Sequence, residues 1–138
     1  MAILTSTSVT GVTDLNIAGF FDGYLRDYSE RLNALGNTTA TTNINLANGT
    51  FVTCTLATNT TFTFTLGTKT TTAAVSFSLL ITNDGTANRT ISWPTSVKWP
   101  GGTIPTRTTA ANRSDAFTFF TFDGGTNWWG SLSLLNYA

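Results

Sequence analysis

Along most of this chain the apolar positions recur with a period of two. Thr61-Phe-Thr-Phe-Thr-Leu66 is the clearest case. Phe62, Phe64 and Leu66 alternate with threonine, so an extended segment there has one apolar and one hydroxylated face. Residues 51–56, 74–82, 116–122 and 128–135 follow the same rule. Leu80 interrupts the alternation, which predicts that the strand over 74–82 is buried on both sides. Shorter pieces at 43–46, 89–93 and 97–99 bring the set to about seven strands. Turn signals separate them. Asn83-Asp84-Gly85 and Asp123-Gly124-Gly125 tolerate the positive φ that hairpin turns need, and Asn48-Gly49 precedes residues 51–56. Pro94 and Pro100 keep 97–99 out of a central strand, and 101–112 reads as a long loop. The pattern predicts hairpins around an aromatic core: a mainly β, antiparallel β-sandwich or jelly-roll-like domain.

One stretch has another period. Phe21, Leu25, Tyr28, Leu32 and Leu35 recur at steps of four and three, which predicts one short amphipathic α-helix over 15–35. Asp22 with Arg26, and Asp27 with Arg31, are supporting i,i+4 pairs, and Gly36-Asn37 supplies a left-handed stop. The apolar stripe either seats on the domain's own sheet or meets another subunit or partner. Residues 2–14, with Ile3, Leu4, Val9 and Val12, read either as a frayed terminus or as an arm that orders on a neighbour by strand addition. The expected division is therefore 1–36, arm plus helix, and 37–138, β-domain.

Composition sharpens this picture. Charged residues make up only 10% of the 138, against a usual quarter, and about a fifth of the chain is threonine. Formal net charge is zero, so no long-range field draws nucleic acid or an anionic membrane, and little charge opposes association. Such a surface is expected to be occupied by copies of the chain or by a partner. No run approaches the roughly 18 apolar residues of a membrane span, and Met1-Ala-Ile-Leu-Thr lacks the basic start of a signal peptide. The expectation is a soluble protein made in a cytoplasm.

Reactive chemistry is sparse. There is no histidine, and the single Cys54 lies in a strand pattern with no cation beside it, so it reads as a small buried apolar side chain. Asp84 and Asp123 sit in turn motifs where Asx turns account for them. No catalytic, metal-binding or cofactor-binding residue is assigned, and no enzyme is expected. Trp128-Trp129 is the strongest binding hint. Neighbours on a strand point to opposite faces, so one tryptophan enters the core and the other, taken as Trp129, offers a contact to a subunit or a sugar ring.

Several motifs recur together: Arg26-Asp-Tyr-Ser-Glu-Arg-Leu32, Leu80-Ile-Thr-Asn-Asp-Gly85, Ile91-Ser-Trp-Pro94, Val97-Lys-Trp-Pro-Gly-Gly-Thr103 and Phe119-Phe-Thr-Phe-Asp-Gly-Gly-Thr126. Through them, from about residue 25 to its end, the chain resembles a β-rich module of tailed-bacteriophage virion structural proteins. That module occurs in tail-fibre-like proteins and small virion proteins of phages of cyanobacteria and marine bacteria. The resemblance implies a virion component rather than an enzyme. A short chain with an N-terminal arm resembles a capsid decoration (cement) protein, which implies a homotrimer on the outer capsid surface, bound to the major capsid protein. The alternative is a tail-fibre or receptor-binding adhesin module that stacks Trp99, Trp128 or Trp129 on host glycan. Under the first, the contact residues are Ile3, Leu4, Val9, Val12, Phe21, Leu25, Tyr28 and Trp129.

Overall fold

The computed structural model describes residues 29–67 and 72–138. They hold nine strands: β1 (Leu32–Asn37), β2 (Thr41–Asn45), β3 (Phe51–Leu56), β4 (Thr60–Thr65), β5 (Val75–Asn83), β6 (Ile91–Ser92), β7 (Val97–Lys98), β8 (Ser114–Thr121) and β9 (Trp128–Tyr137). A six-stranded sheet has the order β1-β3-β5-β8-β9-β7, and a three-stranded sheet the order β2-β4-β6. From β1 to β6 the chain crosses between the sheets at every step. Each pair of strands is one coil, laid parallel on the coil before it: Leu32 lies beside Phe51 and Thr41 beside Thr61, then Phe51 beside Ser78 and Thr60 beside Ile91. β8 and β9 close the large sheet as an antiparallel hairpin across Asp123-Gly124-Gly125.

The fold is mainly β, as the alternation predicts, but the expected antiparallel pairing is corrected. Among the described residues five pairings are parallel, and only β5 with β8 and β8 with β9 are antiparallel. Period two is blind to strand direction. The turns at Asn48-Gly49 and Asp84-Gly85 carry the chain to the other sheet instead of folding it back.

The helix expected over 15–35 is also corrected where it can be seen, because Leu32–Asn37 is strand β1. The step of three from Leu32 to Leu35 suits a helix; in β1 the two point to opposite faces, Leu32 outward and Leu35 against the core, and pairing with β3 overrides the local spacing. Gly36 takes the left-handed φ of 68° expected of it, but inside a strand, where the register shifts between Ala34 and Asn37. The 36/37 division falls within β1. The rest of the helix and the arm lie outside the described residues.

Both sheets face one core. Val52, Cys54 and Leu56 of β3, Phe77, Leu79 and Ile81 of β5, Phe117 and Phe119 of β8, and Trp128 of β9 are buried against Ile44 and Phe62 of the small sheet. Phe119 is central. Its ring lies 4.9 Å from Phe77, 5.1 Å from Phe64, 5.3 Å from Trp93 and 5.8 Å from Trp99. Gly130 is required where Trp99 crosses β9, since a Cβ there would sit 2.8 Å from the Trp99 ring. Cys54 is the buried apolar group expected of it, and burial pushes its thiol up to about 12.

Polar ladders tie the coils together. The Thr60 hydroxyl donates to the Thr38 hydroxyl at 2.8 Å in the interior, and Asn43 bonds Thr63 and Thr65 on the outside of the small sheet. At one end of the core, Asp115 and Asn83 hold the loop over 103–113. The Thr108 and Asn136 backbone N–H groups donate to Asp115 at 2.6 and 2.8 Å, and Asn83 Nδ2 donates to the Thr108 and Ala110 carbonyls. Arg107 donates to Asn83 Oδ1 and to the Arg89 carbonyl. Burial pushes its guanidinium below the usual range, and the charge of Asp115 draws it back.

Candidate interaction face

A strand buried on one side presents its other side elsewhere, and in the small sheet that other side is threonine and asparagine. In the six-stranded sheet it is not. Its outer face carries Leu32 on β1, Phe51 on β3, Leu80 on β5, Phe120 on β8, and Trp129 and Leu134 on β9, with Phe122 just beyond β8. Phe51 is 51% exposed, Phe122 67% and Trp129 37%, whereas Trp128 beside it is 2% exposed. Phe120 and Trp129 stack nearly parallel, 6.1 Å apart and 10° inclined, and Phe122 tilts against both at 5.4 and 5.5 Å. An exposed aromatic cluster of this kind marks a contact site.

Between the apolar groups stand hydroxyls that bond one another across strands. Thr82 meets Ser114 at 2.9 Å and Thr118 meets Ser133 at 2.8 Å. Among the described strand residues of this face Lys98 is the one charged side chain, and it borders Trp129. Glu30 stands at the opposite border. It accepts the Thr50 hydroxyl at 2.6 Å and lines a shallow depression with Phe51, Ser76, Ser78 and Thr118.

The hairpin over Asp123 sets the register that turns Trp128 inward and Trp129 outward. Asn127 donates to Asp123 through its backbone N–H at 2.9 Å and its side-chain amide at 2.8 Å, and the Thr121 hydroxyl donates at 2.9 Å. These bonds, the backbone one first, hold the Asp123 carboxyl below its usual 3.8. Asp84 is held low in the same sense, first by its hydrogen bond from Arg89. A carboxyl lowered by folding stabilises the protein above its unfolded value, and that contribution is lost as pH falls through the folded one. In urea unfolding, Asp123→Asn is therefore expected to be less stable than the parent at pH 7. The gap should close below pH 3.8, the carboxyl's usual value. An unchanged gap at pH 2.5 would show that the carboxylate charge plays no part in the turn.

Of the contact residues expected from sequence, Trp129 lies on this face. Ile3, Leu4, Val9, Val12, Phe21, Leu25 and Tyr28 lie outside the described residues. Leu80, read as a sign of burial on both sides, points outward and is exposed. Phe51, Phe120, Phe122, Leu134, Glu30 and Lys98 were not singled out. For Phe120, as for Leu80 and Trp129, a signal was available in apolar doublets: Leu79-Leu80, Phe119-Phe120 and Trp128-Trp129 each place one residue on either face, whereas no doublet marks Phe51, Phe122, Glu30 or Lys98. Among the described residues no three of His, Cys, Asp and Glu come together.

No family model, no curated protein and no solved structure matches this chain. The class that its own geometry defines is a two-sheet β-domain, wound mostly in parallel, with one broad outward face whose charges, Glu30 and Lys98, stand at its borders.

Proposed function

We propose that this chain is a structural protein of a tailed-bacteriophage virion, a capsid decoration protein that works by holding surfaces together. The observation that carries the reading is the outer face of the six-stranded sheet, which exposes large apolar groups on β3, β5, β8 and β9 and bonds two pairs of its hydroxyls to each other. Supporting it, the motifs of the resemblance form the frame behind that face. Trp93 and Trp99 pack on Phe117 and Phe119, and the Asp123 turn aims Trp129. On this reading the two sheets are the halves of one sandwich-like body, and the segment before β1 reaches the shell. Cementing is multivalent: an oligomer bridges several shell subunits, so modest contacts add into slow release. Immunogold labelling of intact virions is expected to decorate the shell, and deletion of residues 1–14 to lower capsid occupancy. Label confined to the tail would overturn the decoration assignment, and unchanged occupancy would remove the arm's role.

A second reading is favoured by the Phe120–Phe122–Trp129 cluster, a ready platform for a sugar ring. It makes the chain a tail-fibre adhesin module. Glycan-array binding abolished by Trp129→Ala, together with tail labelling, is the result that would select it.

A further inference from the structure

We propose that the outer face of the six-stranded sheet pairs with the same face of a second copy of this chain, about a two-fold axis parallel to the strands. This rests on the reading of the face as a contact surface and goes on to name its occupant.

The charges on the face choose the partner. Ser76, Phe120, Trp129 and Lys98 are aligned neighbours on β5, β8, β9 and β7, so they form one row across the sheet. Glu30 stands two residues before β1, the strand at the far border, and its side chain bonds Thr50 and reaches the depression it shares with Phe51, Ser76, Ser78 and Thr118. The row therefore reads acid, hydroxyl, aromatic, aromatic, base. A two-fold axis along the strands exchanges the borders of the sheet when one copy is laid on the other. It sets Glu30 of each copy against Lys98 of its mate, with the aromatic groups between two ion pairs. An in-plane axis across the strands would instead lay the Glu30 border on the Glu30 border. The contact is isologous, so it closes at two copies.

The face is also prepared for removal from water. Thr82 with Ser114 and Thr118 with Ser133 have each other as partners, so covering them strands no hydroxyl. The aromatic trio is already packed, so little side-chain freedom remains to be lost. The area suffices. The six strands hold 41 residues, and each residue covers roughly 16 Å² of sheet. That is about 650 Å² per copy and 1,300 Å² in all, within the range of specific, stable interfaces.

The test is the mass of the full chain by light scattering during gel filtration, with the dissociation constant from dilution. A dimer is expected. Trp129→Asp should give a monomer with an unchanged far-ultraviolet circular dichroism spectrum. Glu30→Lys and Lys98→Glu should each weaken the dimer about tenfold or more, because by symmetry each substitution sets like charges together twice. The double exchange Glu30→Lys with Lys98→Glu should return the affinity to within about threefold of the parent, since both pairs are rebuilt with reversed sign. A monomeric parent, a trimer, a dimer indifferent to Trp129→Asp, or a double exchange that rescues nothing would each overturn the pairing. None of these touches the virion reading, which the labelling of particles decides separately.

Discussion

Phe119→Ala is expected to cost about 3–5 kcal/mol, the range for deleting a buried phenylalanine ring without collapse of its surroundings. The site cannot close over the loss. Phe64 comes from the small sheet, Phe77 and Phe117 from the large one, and Trp93 and Trp99 from the segments around β6 and β7, so the ring is the wedge between layers. The neighbours are rigid rings held by separate strands and connecting segments, so filling the gap would require several of them to move at once. A domain of this size holds about 5–15 kcal/mol in total, so the variant is expected to be largely unfolded at modest urea. The measurement is the urea midpoint against the parent, with Phe119→Leu as the milder companion. A loss below about 1.5 kcal/mol would mean that the ring is not the joint between the two sheets. Phe122→Ala, on the open face, is the control and should leave the midpoint of the isolated domain nearly unchanged.

Asp115→Ala is expected to be nearly as damaging, for a polar reason. Asp115 is buried at the inner end of β8, opposite Ile81, and accepts two backbone N–H groups, from Thr108 and Asn136. Neither has another acceptor among the described bonds. Losing the carboxylate strands both donors, at about 1–3 kcal/mol each. It also takes the nearest compensating charge from the half-buried Arg107, whose guanidinium is bonded to Asn83 and to the loop itself. The loop over 103–113 and the end of β9 should therefore loosen together. Hydrogen exchange is the direct readout: the Thr108 and Asn136 amides should lose protection in Asp115→Ala while amides of β3 keep theirs. Asp115→Asn retains one acceptor and should lie between the two. Uniform loss of protection through the whole domain would show that the pair is part of the global core and not a local clasp.

Much of this was legible in the chain. The alternation of Phe62, Phe64 and Leu66 with threonine, and of Phe77, Leu79 and Ile81 with serine and leucine, marks strands because a pleated segment has only two sides. The β8–β9 hairpin was legible too in the turn signal Asp123-Gly124-Gly125, although the same kind of signal at Asn83-Asp84-Gly85 leads to the other sheet. So was the inward and outward split of Trp128 and Trp129, which needs nothing beyond strand geometry. The buried state of Cys54 followed from its neighbours.

Three things were settled only by the tertiary structure. The direction of pairing was one, because side-chain alternation is identical in parallel and antiparallel ladders and only the path of the connecting turns separates them. The fate of Leu32–Asn37 was another: the step from Leu32 to Leu35 is a helical one, and the free edge of β3 overrode it. The last was the face. Phe51, Leu80, Phe120 and Trp129 are far apart in the chain and become one surface only when the coils are stacked in register. Which residues share a surface is a property of register, and register belongs to no single segment.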